Sequence, residues 1–472
     1  MPHGRTAAHS AAFVAPAPRA AKDPNRLNPE ARTSVTPVPA VIPREQHVIS
    51  RKNISKAALR VLYRLHDAGY DAFLVGGAVR DLLLGGHPKD FDVATNATPD
   101  EVKKLFRNCR LIGRRFRLAH VVFGPEIIEV ATFRGTGEVE GGEGDRHIVD
   151  GLIVRDNVWG TIEEDAVRRD FRVNALYYDI SDFSVRDYVG GMQDLDGRVL
   201  HLIGDPATRY REDPVRMLRA ARLAAKLGFT IDPKASAPFE ELGPLLTDAA
   251  PARLFDESLK MFLAGNGLKS FRMLEQCGLL KFLFPATARA LRRGDEALRS
   301  LIERGLANTD ARIAEGKSVT PAFLFAVLLW GEVRDLAYAW MAKGVDGNEA
   351  WARAAAHVVG EQCQRVAIPR RFTITMEEIW SLQPRFEQIQ RKRVFRLMTH
   401  PRFRAAFDFL LLRAAESPAI RELGQWWAHA QQLPQEVLAA ALPASTAAVA
   451  DSAAGAPRKR RRRKPPGKSG SA

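Results

Sequence analysis

Two aspartates one residue apart, Asp90 and Asp92, follow a glycine pair in the segment from Leu74 to Thr95. Side chains two positions apart on a strand point to the same face, so a strand here would bring both carboxylates together. Paired carboxylate oxygens suit Mg²⁺, which completes its coordination with substrate phosphates. Gly76 and Gly77 allow close backbone approach, and a helix that begins after them would attract anions. The segment therefore predicts a metal site beside a triphosphate cradle.

Alternating and helical patterns predict the elements that position these residues. We expect a helix over 53–68, a strand over 72–75, a short helix after the glycines and a strand over 90–95. Thr98 as N-cap with Glu101 three residues later predicts another helix, ending at about Asn108. Further predicted elements are strands 120–124 and 127–133 joined as a hairpin, a glycine-rich mobile loop over 135–150, a helix over 166–172 and a strand over 175–180.

The glycine pair, the helix and the D-F-D sequence together resemble the catalytic core of the DNA polymerase β-like nucleotidyltransferases. Within them, the segment is similar to the branch shared by CCA-adding enzymes and bacterial poly(A) polymerases. The resemblance implies an α+β fold, in which a nucleotidyltransferase head with a small mixed sheet precedes an all-helical body. It also implies two Mg²⁺ ions held by Asp90 and Asp92, with ATP as the substrate.

A third carboxylate is expected, because two metal ions need more oxygen ligands than two aspartates provide. Glu129 lies between apolar neighbours in IIEVATF, and its position matches the third carboxylate of the superfamily. Asp170 in EEDAVRRDFRVNAL is the second candidate. The structural alternatives are a solvent-facing residue at a sheet edge for Glu129, and a helix ion pair with Arg168 or Arg169 for Asp170. We expect catalytic roles for both carboxylates.

Two further motifs predict nucleotide contacts. RRDFRVNA resembles the family motif RRDFTINA, in which Arg169 and Asn174 match groups near ribose and phosphate, while Arg172 stands where Thr is usual. Gly76, Gly77 and Arg80 are then expected to cradle the triphosphate.

YREDPVRMLRA resembles the family's base-recognition motif EDxxR. Asp213 and Arg216 are three residues apart, so we expect them to be neighbours on one helix turn and to bind the edge of adenine. Arg219 continues that face and could reach the triphosphate. Because protein side chains would choose the nucleotide, no nucleic-acid template would be needed. The same Asp/Arg pair can serve cytosine, so the preference for adenine depends on the resemblance.

Length and charge predict several domains with basic tails. The chain has 472 residues and a formal charge of +15, of which the last 21 residues carry +8 and the first 47 carry +3. We expect a disordered arm over 1–47, the catalytic head over 48–205, a helical neck that recognises the base over 206–275, a helical RNA-binding body over 276–433 and a disordered basic tail over 434–472. No convincing strand is expected between Asp213 and Leu423.

Basic residues near the C-terminus predict contacts with the RNA backbone. The candidates are Arg391, Lys392, Arg393, Arg458, Lys459 and Arg460. Four phenylalanines lie among the first of these basic residues, and their helical spacing favours core positions over base stacking. They are Phe386, Phe395, Phe403 and Phe407.

GRRFRLAH over 113–120 favours the poly(A) polymerase branch, and the resemblance spans about residues 50 to 430. The sequence thus predicts template-independent addition of AMP from ATP to RNA 3′ ends, with release of pyrophosphate, in RNA processing and decay. The alternatives are a CCA-adding tRNA nucleotidyltransferase and a non-catalytic RNA-binding protein. Possible partners are RNA-degradation or RNA-chaperone proteins.

Three scattered cysteines and the lack of a long apolar run predict a cytoplasmic protein without a membrane span. An N-terminal transit peptide is the alternative to a disordered arm.

Overall fold

The computed structural model describes residues 38–113, 117–135, 146–149, 152–156 and 158–443. The strands are β1 (Ala40–Ile42), β2 (Ala72–Val75), β3 (Asp92–Thr95), β4 (Cys109–Ile112), β5 (Leu118–Phe123), β6 (Glu126–Thr132), β7 (Arg146–Val149), β8 (Leu152–Asp156), β9 (Leu176–Asp179), β10 (Val185–Asp187), β11 (Val199–Leu200) and β12 (Thr230–Ile231). The helices of the head are α1 (Lys56–Asp67), α2 (Gly77–Leu83), α3 (Pro99–Leu105), α4 (Ile162–Arg168) and α5 (Gly191–Gly197).

The chain continues as a helical body. Its helices are α6 (Pro206–Glu212), α7 (Val215–Leu227), α8 (Pro233–Ser236), α9 (Phe239–Leu242), α10 (Pro251–Phe262), α11 (Gly267–Gln276), α12 (Leu280–Leu283), α13 (Pro285–Arg292), α14 (Glu296–Ala314), α15 (Pro321–Ala342), α16 (Gly347–Arg365), α17 (Arg370–Phe386), α18 (Arg391–Met398), α19 (Phe403–Leu412), α20 (Pro418–Ala430) and α21 (Gln435–Ala441). Among the described residues, no helix is both long and apolar enough to cross a membrane.

Eight strands form one mixed sheet in the order β1-β10-β9-β2-β3-β6-β5-β4. Strands β3 and β6 are parallel, whereas the other neighbours in this sheet are antiparallel. β5 and β6 form the predicted hairpin, turning at Gly124 with φ +59°. The carboxylate-bearing strand β3 therefore lies inside the sheet, flanked by β2 and β6. The expected α+β head followed by helices is confirmed.

The two faces of the sheet have different coverings. Val93 packs in the main core with apolar residues of α1 and α3, such as Val61 and Val102. Its neighbour Ala94 points the other way and packs in a smaller cluster with Ala166 of α4. Asp92 shares the face of Ala94, because strand side chains alternate. The active-site candidates thus lie on the α4 face, with α1 and α3 behind the sheet.

The core is continuous from the head into the body. One cluster of buried residues runs from Ile49 to Leu412 and includes both sheet residues and the long helix α15. A second cluster packs the C-terminal helices around Trp427. Three of the four phenylalanines predicted as core are buried there, and Phe395 packs partly buried against them.

The structure differs from four expectations about irregular segments. The described end of the arm contains β1, which pairs with β10 through Val41 and Arg186. The segment expected to lack strands contains β12, two residues paired parallel with β11. β7 lies inside the expected loop 135–150, and α21 lies inside the expected tail, anchored by buried Leu438. β1, β12 and α21 are short and depend on distant partners, so local periodicity does not reveal them. β7 pairs with the neighbouring strand β8, and the glycine-rich composition of the segment concealed that pairing.

Candidate active site

Asp92 and Glu129 are cross-strand neighbours at the centre of the sheet. Asp92 opens β3 and is in register with Glu129 of the parallel strand β6. β6 is flanked by β3 and β5, so Glu129 is not a sheet-edge residue. Asp90 precedes the strand by two residues and is exposed, so the predicted strand 90–95 begins two residues later than expected. The structure therefore pairs Asp92 with Glu129 directly and places Asp90 in the approach to the strand.

The surroundings of Asp92 favour a bound cation. Its side chain is reached by solvent but is recessed among many protein atoms. Burial and the charge of Glu129 raise the pKa of Asp92 to about 6, and Asp90 acts in the same direction. Among the described residues, no three His, Cys, Asp or Glu side chains are close enough to enclose a metal by themselves. Such a site fits Mg²⁺, which takes one or two carboxylates and fills its shell with substrate phosphates and water.

Gly76 lies directly beside the carboxylate. Its backbone has φ +74° and ψ −138°, a conformation that side chains other than hydrogen rarely allow. A Cβ added there would lie 3.8 Å from Asp92 Oδ2 and 4.0 Å from Arg169 Nη1. Glycine therefore keeps the backbone open at the point where the predicted cradle meets the carboxylates.

Arg169 is fixed beside this turn by a buried acid. Its Nη2 donates to Asp165 Oδ2 at 2.7 Å, and its Nε donates to the Tyr177 hydroxyl at 2.8 Å. Tyr177 donates in turn to Asp165 Oδ2 at 2.6 Å. The triangle orients a guanidinium toward Gly76 and Asp92, as expected for a group that meets phosphate.

Arg80 does not line the open site as the sequence analysis expected. The residue is 3% exposed, with Nε and Nη2 donating to Asp81 and Nη1 donating to Asn174 Oδ1 at 2.5 Å. The guanidinium lies under the turn, because a Cβ on Gly77 would be 3.3 Å from its Nη2. Arg80 therefore supports the glycine turn from beneath.

The contacts of Asp170 differ from those of the paired carboxylates Asp92 and Glu129. Its Oδ2 accepts from Arg219 Nε at 2.7 Å, and its Oδ1 accepts from Asn174 Nδ2 at 3.3 Å. Although burial raises the pKa of Asp170, the Arg219 charge and these hydrogen bonds hold it well below its usual value. The structural alternative of a helix ion pair with Arg168 or Arg169 does not describe Asp170, because α4 ends at Arg168 and Asp170 turns toward α7, where it pairs with Arg219. The guanidinium of Arg219, expected at the triphosphate, is paired with this carboxylate instead.

Asp213 and Arg216 do not share a helix turn as predicted. Asp213 caps α6 in an extended conformation, and Arg216 lies in α7, which begins after Pro214. Proline explains the break, since it disfavours the helical conformation in the residue before it. The two residues remain adjacent, because the amide of Arg216 donates to the carbonyl of Asp213 at 3.1 Å.

Sequence reasoning missed the partners that hold the predicted side chains. Arg253 Nη2 donates to Asp213 Oδ2 at 2.8 Å, and Glu212 Oε2 accepts from Arg216 Nη1 at 3.0 Å. His120 lies opposite Glu129 in the β5–β6 pairing, with 3.3 Å between its Nε2 and Glu129 Oε2. Counting back across the predicted hairpin turn could have found His120, whereas the partner of Asp213 lies 40 residues away.

The predicted RNA-binding residues divide into three groups. Lys392 and Arg393 are exposed at the start of α18. Arg391 is exposed but donates to the carbonyl of Ala439, thereby holding α21 against α18. Arg458, Lys459 and Arg460 lie outside the described residues, as does most of the expected N-terminal arm.

A mixed sheet with paired carboxylates beside a glycine turn, leading into a helical body, defines a polymerase-type nucleotidyltransferase. Three family models match the chain: "Poly A polymerase head domain" over 72–201, "Probable RNA and SrmB- binding site of polymerase A" over 228–291, and "Polymerase A arginine-rich C-terminus" over 343–466. The chain belongs to the poly(A) polymerase I family, and it is accordingly a nucleotidyltransferase enzyme.

Curated relatives cover most of the chain. Poly(A) polymerase I of Salmonella typhi is 54% identical over 416 residues, which cover 86% of this chain and 89% of the relative. That of Escherichia coli O157:H7 is 52% identical over 414 residues, with the same coverage. A CCA-adding enzyme of Lactobacillus gasseri is 37% identical over 223 residues, which cover only 47% of this chain and 54% of the relative.

Solved structures show the same fold at lower identity. The CCA-adding enzyme of Bacillus stearothermophilus in complex with CTP has a TM-score of 0.55 at 24% identity, covering 80% of this chain and 82% of that one. A tRNA-processing enzyme has a TM-score of 0.57 at 21% identity, covering 84% of this chain and 99% of that one. At these identities the likeness supports the arrangement of the head and helical body.

Proposed function

We propose that this protein adds AMP from ATP to RNA 3′ ends without a template and releases pyrophosphate, in RNA processing and decay. The observation that carries the proposal is the in-register pair of Asp92 and Glu129 beside the Gly76 turn. Asp90 and Asp92 would hold two Mg²⁺ ions, which supply activation of the 3′-hydroxyl and charge neutralisation of the leaving pyrophosphate. Glu129 is the better third carboxylate, because Asp170 already has Arg219 as its partner.

The chain's own residues would bind and orient the nucleotide. Backbone at Gly76 and Gly77 would approach the triphosphate closely, and the guanidinium of Arg169 would neutralise part of its charge. Arg80 would act from beneath by bracing the turn through Asn174. The adenine edge would meet Asp213 and Arg216, as the family motif implies.

The acceptor would be a general RNA 3′ end. Lys392 and Arg393 of α18 are exposed cations that can contact phosphates, and the basic residues 458–460 would add sequence-independent attraction. We place this activity in the cytoplasm, in keeping with three cysteines in the free thiol form. RNA-degradation or RNA-chaperone proteins are the partners that fit such an activity.

The test offers the purified protein Mg²⁺ and two labelled acceptors, a generic RNA oligomer and a tRNA that lacks its CCA end. ATP and CTP are supplied separately and together. Long ATP-dependent tails on the generic RNA with little use of CTP are the expected result. Addition that needs CTP, stops after three nucleotides and occurs only on tRNA would show a CCA-adding enzyme instead. No nucleotide incorporation on either RNA would favour a non-catalytic RNA-binding protein.

A further inference from the structure

The positive charge of the folded part of the chain is concentrated in two short segments. Residues 48–70 and 99–110 together contain nine basic and three acidic residues, a net charge of +6. The whole segment 48–451 carries only +4, because the chain carries +15, residues 1–47 carry +3 and the last 21 residues carry +8. The described residues of 48–451 carry +8, so those outside the two segments carry only +2 over a much longer length of chain.

These charges form a continuous surface on helices α1 and α3, which we name the back-face patch. It consists of five exposed residues: Lys56, Arg60, Arg64, Lys104 and Arg107. The first three are four residues apart on α1, so they form a stripe about 12 Å long. The third of them joins the stripe to α3, because Arg64 Nε donates to the carbonyl of Leu105 at 3.1 Å.

Carboxylates neutralise the patch only weakly, and the charge of Lys104 acts on Glu101 of the same helix. Among the described residues, none of its five members forms an ion pair with a carboxylate, whereas Arg169, Arg216 and Arg219 of the site each have one. A surface of this kind raises the local concentration of polyanions. Solvated side chains alone would not account for the sign bias, since the remaining described residues of 48–451 carry only +2.

The position of the patch suits a long RNA whose 3′ end is at the carboxylates. The patch lies behind the sheet, while Asp92 and Glu129 face the other side. The edge strand β4 is two strands from β6, which is about 10 Å at the usual strand spacing. Exposed Arg110 lies on that edge. A single strand leaving the site can therefore pass around β4 and reach α3 and α1.

We propose that the back-face patch binds the phosphate backbone of substrate RNA upstream of the 3′ end that is being extended. The proposal rests on the proposed function, because it takes the acceptor to be RNA. It adds a contact surface on the head to the RNA-binding residues proposed in α18 and in the C-terminal segment. Its consequence is that RNA length affects affinity while the chemical step at the carboxylates does not depend on the patch.

The test compares two triple variants of the full chain that remove the same charge. The patch variant carries Lys56→Gln, Arg60→Gln and Lys104→Gln. The control carries Arg292→Gln, Arg304→Gln and Lys317→Gln, three exposed basic residues of the helical body that lie outside the segments matched by RNA-binding family models. Fluorescence anisotropy measures the Kd of RNAs of about 6 and about 30 nucleotides at several salt concentrations. Thermal unfolding checks that both variants are folded, and AMP incorporation on the short RNA reports the chemical step.

The patch variant should bind the long RNA about tenfold more weakly. The slope of its log Kd against the logarithm of the salt concentration should be smaller by about 2. Its affinity for the short RNA and its rate of AMP incorporation on it should match the wild type. An equal loss in both triple variants, or no loss in either, would overturn the proposal. The proposal would also be overturned if the patch variant bound RNA as tightly as the wild type but bound phosphatidylcholine–phosphatidylserine vesicles more weakly. The patch would then serve a membrane. Failure of the wild type to incorporate AMP would refute the proposed function, separately from these binding results.

Discussion

Arg219 of α7 reaches Asp170 with 2.7 Å between its Nε and the carboxylate oxygen, and so joins two motifs that are 49 residues apart. Asn174 extends the connection, donating to Asp170 and accepting from Arg80 under the glycine turn. Three motifs that the sequence presents separately therefore form one hydrogen-bonded chain. We propose that Asp170 is a positioning residue and that Glu129 is the third carboxylate of the metal site.

Neutralising Glu129 and neutralising Asp170 should have different effects on activity and on stability. Glu129→Gln should lower the rate of AMP incorporation about a hundredfold or more while the free energy of unfolding stays near that of the wild type. Asp170→Asn should lower the free energy of unfolding by about 2 kcal/mol or more, because it removes the partner of Arg219. Urea unfolding and single-turnover kinetics measure both quantities. The reverse pattern, a stable inactive Asp170→Asn and an active Glu129→Gln, would exchange the two assignments.

The same ion pair predicts a pH dependence of stability. Burial raises the pKa of Asp170, but Arg219 and the hydrogen bonds outweigh it, so the folded pKa is below the unfolded value of about 3.9. Such a carboxyl stabilises the folded protein above its unfolded pKa, and the stabilisation is lost as pH falls through the folded pKa. The difference in free energy of unfolding between wild type and Asp170→Asn should be constant above about pH 5 and shrink below about pH 4. A difference that instead grew on acidification would contradict the pairing.

His120 should act through Glu129. The hydrogen bond between their side chains orients the carboxylate that lies in register with Asp92. We expect His120→Ala to raise the Mg²⁺ concentration needed for half-maximal activity by several-fold, and His120→Gln to restore much of it, since glutamine can also donate. Mn²⁺ binding to the protein, measured by electron paramagnetic resonance, gives a readout independent of turnover. Equal effects of alanine and glutamine would indicate a packing role only.

Replacing Arg253 should change the binding and selection of the nucleotide rather than the rate of the chemical step. It holds Asp213, whose side chain is predicted to meet the base edge. Arg253→Met should raise the KM for ATP about tenfold with little change in kcat, and should narrow the ratio of ATP to CTP use. Steady-state kinetics with each nucleotide measures this effect. Arg272→Met is a suitable control, because its ion pair with Glu303 lies on the exposed surface of the body. Similar changes in both variants would count against a role in base selection.

Local patterns were sufficient for the elements that carry the carboxylates. The strand that begins at Asp92, the capping box at Thr98 and the hairpin at Gly124 each depend on neighbours within a few residues, and each is present. The predicted strand began two residues too early, because Asp90 lies ahead of β3. The register that sets Glu129 against Asp92 follows from the parallel pairing of β3 and β6. The family resemblance pointed to Glu129 without showing that neighbour.

The partners of the charged side chains could not be obtained from the sequence in the same way. Arg80 was expected at the triphosphate, but it is buried against Asn174, 94 residues away. The sequence does not show whether an arginine binds a ligand or a carboxylate of its own chain. Only the tertiary structure distinguishes these two cases. The break at Pro214 between Asp213 and Arg216 is different, since the residue type itself carried that signal.

The central claim is that Asp90, just before β3, and Asp92, at its start, hold the metal ions needed for adenylyl transfer to RNA. The most direct measurement is the rate of AMP incorporation into a labelled RNA by the wild type and by Asp90→Asn plus Asp92→Asn, with RNA affinity and thermal unfolding measured on the same samples. We predict a fall of about 10³-fold or more in rate, with RNA affinity and folding unchanged. A folded double variant that still extends RNA within about tenfold of the wild-type rate would contradict the account.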